Sequence, residues 1–314
     1  MAHSDSNKTS YIVVGYLLAV VQAILYASLS IFGKLLYATG LDSQQVVMLR
    51  FLSMTVLLGA FLIVWRRVPL IRMKWATFIQ GVFFFITALF YLLAVEHLTA
   101  GMTTVIFYMF PAVVAVMNVF VFKEPFSPAV AIALILAFAG LVLVSGMIAG
   151  GVVLDALGIA YGVISCVCFA IYTVLIQKLG RDESPLTATF TIALIGLVAS
   201  CIVFAPTVPT LLQLDTYQIV VAGLMGLLGT ILPVVIYMEA IKRIGGTKAA
   251  LISISETPFT LMLAFIILGE TLTMQQTIGS ALIIASVAVV SIEPLMKGKS
   301  SDQKPNSERK RVSE

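Results

Sequence analysis

Between Tyr237 and Ser291 the chain carries two apolar runs, each long enough to cross a bilayer, and the first holds a carboxylate, Glu256. The same stretch also occurs earlier. Moving back 146 positions sets Tyr237 on Tyr91, Ala240 on Ala94, Ile252 on Ile106, Glu270 on Glu124, Ala285 on Ala139 and Ser291 on Ser145, with no gap. A chain that repeats a run of membrane-spanning segments is expected to fold as two copies of one unit. Sixty per cent apolar and eleven per cent charged residues over 314 positions exclude an ordinary soluble domain.

Charges, Gly/Pro clusters and polar tips divide the chain into ten spans, near 11–36, 44–65, 74–95, 100–122, 127–148, 154–178, 184–205, 217–241, 247–268 and 273–293. Helices are required, because a lipid-exposed segment must satisfy its own backbone hydrogen bonds. The expected class is an all-α integral membrane protein. Its first repeat fills 11–148 and its second 154–293, with a polar tail over 1–10 and a disordered cytoplasmic tail over 294–314. Met1–Ser10 lack a small-residue cleavage pattern, so the first helix is expected to remain. Cys166, Cys168 and Cys201 sit in apolar runs and read as small packing residues, not as a disulfide framework or a metal site.

The connections alternate in charge. Arg66, Arg67, Arg72 and Lys74, then Lys123, then Lys178 and Arg181, then Lys242, Arg243 and Lys248 fall in every second one, and the tails are basic too. The others hold Asp42, Glu96, His97, Asp155, Asp215 and Glu270. The positive-inside rule then puts both termini in the cytoplasm of a multi-pass plasma-membrane protein. Five spans per copy make the second copy enter from the opposite face, so the ten helices form two inverted five-helix repeats.

Several spans carry polar stripes. Span one has Gln22, Tyr26, Ser30 and Lys34; span three Thr87 and Tyr91; span four Thr104, Tyr108, Pro111 and Asn118. Span six has Ser165 and Tyr172, span eight Thr230, Pro233 and Tyr237, and span nine Ser253, Glu256 and Thr260. A single such hydroxyl commonly just joins two helices, but six stripes together suit a lined path. Pro111, Pro233 and Pro258 are the candidate helix bends. Lys34 and Arg50 lie near span ends, where they either snorkel to headgroups or draw an anionic group at the outer mouth. Only Glu256 is deep, about 13 Å into its span at 1.5 Å per residue, or half of a ~30 Å core. A charge there costs roughly 2.5–3.5 kcal/mol on insertion scales, so it needs a purpose. It can carry a proton across, pair with a substrate amine, or tie span nine to a neighbour.

The run from Pro111 to Glu124, the segment SETPFTLMLAFIILGETLTMQQTIGSALIIASV from Ser255 to Val287, YASLSIFGK from Tyr26 to Lys34 and FAIYTVLIQKL from Phe169 to Leu179 resemble EamA repeats of the drug/metabolite transporter superfamily. The resemblance covers about residues 12–293. One departure is that the family's Glu-Pro reads Glu256-Thr257-Pro258 here. The resemblance implies a secondary transporter with a central cavity, and export of amino acids or related metabolites as its work. Without a phosphate-binding Gly-Lys-Ser/Thr loop, energy has to come from a gradient or from the solute itself. A passive facilitator or channel is the alternative. A membrane enzyme acting on lipid-linked substrate is disfavoured, since the histidines are His3 and His97 and no Gly-x-Ser-x-Gly occurs. The expected partners are lipid, a small solute and protons as candidate coupling ion, with no cofactor, metal or nucleic acid.

The charge alternation makes a direct prediction. Reporter fusions at Gly150 and at the C-terminus are expected to report opposite sides, with Gly150 outside. Signals from the same side would overturn the ten-span inverted arrangement.

Overall fold

The computed structural model describes residues 2–65, 74–123, 127–146, 155–179 and 184–302. The basic loops with Arg66, Arg67, Arg72 and Arg181, the repeated Glu124 and the 149–153 turn lie outside them. Spans one to three are the helices Ala2–Tyr37, Ser43–Trp65 and Trp75–His97. Span four is Ala100–Phe107 followed by Phe110–Phe122, and span five Pro128–Val144. Spans six and seven are Ala156–Leu179 and Pro185–Val203. Span eight is Thr216–Gly226, a π-turn over Leu227–Ile231 and Leu232–Ile244; span nine is Gly246–Ser253 then Glu256–Leu268; span ten is Met274–Asp302. Among the described residues nine of these are long and apolar enough to cross a membrane, and the fifth is a shorter apolar helix.

Local chemistry starts several of them. Spans two, eight and ten open on reciprocal caps that satisfy orphan helix amides. Gln45 N donates to Asp42 Oδ1 at 2.7 Å while Asp42 N donates to Gln45 Oε1 at 2.8 Å. Asp215 with Gln218, and Thr273 with Gln276, repeat the arrangement. Pro128 and Pro185 occupy first turns, where a missing amide hydrogen costs nothing.

Packing obeys the repeat. Span one lies against span eight, and span three against span six; exchanging the two repeats converts one pair into the other. Spans two and seven pair, as do five and ten, and each of these pairs maps onto itself. The partners run antiparallel. Gly15 abuts Arg243 and Ile244 while Gly229 abuts Leu29; Gly59 abuts Phe190 while Gly196 abuts Phe51. Gly158 takes His97 and Leu98 into the space of its missing side chain, and Gly162 takes Ile106. Gly226 meets Ser53, whereas Gly223 faces open space. The fold is an all-α membrane bundle of two inverted five-helix repeats.

Spans four and nine break at equivalent places, Tyr108–Met109 and Ile254–Ser255, although their prolines differ in register by one. In both, amides switch to partners three residues back: Met109 N to Ile106 O at 3.2 Å, and Ser255 N to Ile252 O at 3.0 Å. Pro258 has no amide to offer Ile254 O, which accepts from Thr257 N at 3.0 Å instead. Each candidate bend proline thus follows an irregular turn by two or three residues. At the ends, helix begins at Ala2, and span ten continues to Asp302, past residue 294. Extending an existing helix adds one bond per residue fixed, which is cheaper than starting one. Residues 303–314 lie outside the described set.

Spans five and ten cross backbone to backbone. A Cβ on Gly140 would stand 2.5 Å from Gly279 O, and one on Gly279 equally close to Gly140 O. Gly140→Ala is therefore expected to destabilise the protein by about 1–3 kcal/mol through overpacking. Gly223→Ala, where a Cβ meets nothing within 4 Å, is the neutral control. Thermal melting in detergent compares the two.

Candidate functional site

The breaks in spans four and nine meet at the centre. Tyr108 caps the first half of span four, and Glu256 is the first residue of the second half of span nine. The Glu256 carboxylate interacts with the Tyr108 hydroxyl and lies in the field of Arg50. Arg50 and Glu256 form no direct ion pair among the described residues. Both keep some accessible surface, as do Tyr91 and Tyr108. Tyr91 shares a hydrogen bond with Thr104 at 3.2 Å, and Thr104 Oγ1 also donates to Ala100 O at 2.8 Å.

Four tyrosines around this point are two symmetry pairs, Tyr26 with Tyr172 and Tyr91 with Tyr237, each 146 residues apart. Tyr172 is fully buried, its ring 5.1 Å from that of Phe84 and 5.5 Å from that of Phe169, and its hydroxyl has no partner. Tyr237 shares a hydrogen bond with Thr173 at 3.2 Å and stacks on Phe169 at 6.2 Å between centroids. Hydroxyls and aromatic faces from both repeats therefore converge on one region.

The two ends of the bundle differ. At one end, Ser253 Oγ donates to Gln22 Oε1 at 3.0 Å. One turn further along span six, Asn118 Nδ2 donates to Gln177 Oε1 at 3.0 Å and to Thr247 Oγ1 at 2.9 Å, while Gly246 N donates to Gln177 Oε1 at 2.6 Å. Gly246 is required, because a Cβ there would lie 2.6 Å from the same Oε1. The first half of span nine is almost wholly buried here. After the break only Pro258 and Ala264 are. The opposite end is held by Lys34 Nζ and Glu270 Oε1 at 2.6 Å, both about half exposed (50% and 48%), with Ser30 exposed one turn below.

These positions distribute the residues singled out in the sequence. Tyr26, Arg50, Tyr91, Tyr108, Tyr172, Tyr237 and Glu256 come together. Gln22 and Asn118 are instead tied into the buried layers of the tight end, and Lys34 and Ser30 lie at the loose end. Pro111 and Pro233 are buried beside their irregular turns, as is Pro258. Arg50 does not snorkel: its Nε donates to Thr230 Oγ1 at 3.3 Å inside the bundle. Lys34 reaches Glu270 across the repeats. Glu239 pairs with Arg243 one turn away at 2.8 Å, as the spacing predicts. His97 Nδ1 pairs with Asp155 Oδ2 at 3.0 Å and joins spans three and six. That bond, with the Leu157 amide, holds Asp155 below the usual carboxylate range. Its stabilisation is present at neutral pH and fades as pH falls through that lowered value.

Sequence reading missed Gln177, Thr173, Thr247 and Phe84. Thr173 and Gln177 are one turn apart in an apolar span, the same stripe signal used elsewhere. Nothing distinguishes Phe84 among 19 phenylalanines.

The EamA-like transporter family matches residues 13–146 and 156–292, one match for each repeat. The chain belongs to the EamA-like transporter family. A curated relative from Archaeoglobus fulgidus, described as an uncharacterized transporter, is 26% identical over 209 residues, covering 67% of this chain and 73% of the relative. A solved crystal structure superimposes with a TM-score of 0.73 over 89% of this chain and 96% of the other, at 17% identity, which supports the fold alone. The chain is a membrane transporter of the drug/metabolite type.

In this EamA-like protein the Lys34–Glu270 pair is half-exposed, and solvent screens such a pair to at most about 1 kcal/mol. Lys34→Gln and Glu270→Gln are each expected to shift unfolding by no more than about that amount. The double variant is expected to add little, which denaturant titration in detergent measures. A loss several times larger would show the pair to be a main tie between the repeats.

Proposed function

We propose that the chain is a secondary transporter of small metabolites that exports amino acids or related compounds by alternating access around a central cavity, with Glu256 as its coupling group. The observation that carries this is Glu256 itself. A carboxylate stands where two broken helices meet, faces a hydroxyl from the other repeat, and has a cation within its field but not paired to it. A purely structural carboxylate would have its charge consumed by a partner, since an unpaired buried charge is expensive. One left open is free to take a proton or a solute ammonium.

The uneven ends supply the alternation. By the charge of the loops, the hydrogen-bonded end with Asn118, Gln177 and Thr247 faces the cytoplasm, and the Lys34–Glu270 end faces outward. This conformation is then sealed inside and loosely closed outside. The break at Ile254–Ser255 lets the outer half of span nine move without disturbing its buried inner half. Protons are the proposed coupling ion and the plasma membrane the proposed location.

Glu256→Gln keeps size and hydrogen bonding but cannot titrate. In proteoliposomes it is expected to fold and insert, to lose pH-gradient-driven transport, and to retain solute exchange at equal pH. Gradient-driven transport at the wild-type rate would rule out the carboxylate as coupling group and favour a facilitator.

A further inference from the structure

Arg50 stands seven residues into span two, about 10 Å at 1.5 Å per residue, where a guanidinium needs support. Thr230 and Phe84 grip it, and the Tyr26 hydroxyl also meets its guanidinium. Its Nε donates to Thr230 Oγ1 at 3.3 Å, and its guanidinium carbon lies 5.4 Å from the centroid of the Phe84 ring. Phe84 and Thr230 are 146 residues apart, so they occupy one position of the two repeats. The counterpart of Arg50 is Gly196, whose side-chain space is filled by the Phe51 ring, and Phe51 in turn packs edge-on against Phe84. Exchanging the repeats therefore maps the Phe84/Thr230 pair onto itself, but only one of the two cation positions, Arg50, is filled.

Thr230 reaches Arg50 from the π-turn at Leu227–Ile231. The extra residue in such a turn re-aims the side chains that follow. Its hydroxyl proton goes to Met225 O, five residues back, at 3.2 Å. The oxygen lone pairs then remain to accept from Arg50. With Nε held, the end of the guanidinium that carries both Nη groups is the edge suited to a planar two-oxygen anion. No carboxylate lies within ion-pair distance of Arg50 among the described residues. The fully buried Tyr172 hydroxyl, which has no partner, lies in the field of the same guanidinium. Thus a cation with no carboxylate partner among the described residues and an idle hydroxyl share one region.

We infer that Arg50, oriented by Thr230 and Phe84, is the seat for the carboxylate of the transported solute, with Tyr172 as a second donor and Thr230 as a positioning residue. This rests on the transporter reading above and adds the group recognised: a carboxylate at Arg50, opposite Glu256, which takes the ammonium of an amino acid.

The seat is tested without transport by melting the detergent-solubilised full chain with sodium butyrate or with butyramide, which lacks the charge. Wild type is expected to be stabilised by butyrate and not by butyramide. Arg50→Gln abolishes the response, Thr230→Val needs about tenfold more butyrate, and Thr230→Ser restores it. Phe84→Leu, which removes the ring face, is the second variant should Thr230→Val not fold. In counterflow, Thr230→Val is expected to raise KM for L-leucine about tenfold with kcat held, and to leave KM for L-leucinamide unchanged. A butyrate response absent from wild type, or equal in wild type and Thr230→Val, overturns the seat. Wild type that responds to butyrate yet carries no L-leucine retains the seat and overturns the amino-acid reading of the transporter.

Discussion

In hydrocarbon an amide or carbonyl without a partner costs several kcal/mol, so an interruption in a membrane helix survives only where the protein re-satisfies it. Spans four and nine meet that requirement in the same way. Their ladders tighten to i−3 partners over Tyr108–Met109 and Ile254–Ser255, inside the bundle and at one depth of each repeat. Because the repeats are inverted, the two irregular turns face each other. That meeting brings Tyr108 to Glu256, and the polar centre of the molecule is assembled around it.

The repeat supplies a symmetric frame, and the charges depart from it. Tyrosines occur in matched pairs, 26 with 172 and 91 with 237, so both halves contribute aromatic hydroxyls. Glu256 has Phe110 as counterpart and Arg50 has Gly196. One anion and one cation, each on a single repeat, give the centre a polarity that the backbone symmetry lacks. A solute seated there, as proposed, would take a preferred orientation for that reason, and a symmetric pair of charges would not impose one.

The ends are closed by different chemistry. Buried amide and hydroxyl contacts around Asn118, Gln177, Thr247 and Gly246 exclude water and tolerate little displacement, since any that separate must find new partners. The Lys34–Glu270 pair is wet on both sides, and parting it exchanges an ion pair for hydration at small cost. The segment between them, the second half of span nine, Glu256–Leu268, has only Pro258 and Ala264 buried. Packing and polarity thus differ between the two ends, with the break beside Glu256 lying between them.

The architecture was written in the sequence. Span length, the 146-residue repeat and alternating loop charge are properties of composition and spacing, and the bilayer permits few ways to satisfy them. The depth of Glu256 followed from counting along one helix, and so did the Glu239–Arg243 pair. The partners of Arg50, Lys34 and Asn118 could not be reached in that way. Each is set by which side of a helix faces a span from the other repeat, and a polar stripe looks the same whether it lines a path or closes it. Tertiary packing made Asn118 part of a buried tie, turned Arg50 inward onto Phe84 and Thr230, and set Lys34 against Glu270. The physical reason is rotation about the helix axis: in hydrocarbon apolar residues surround a helix on most sides, so the pattern of hydrophobicity that orients a soluble helix carries little of that information.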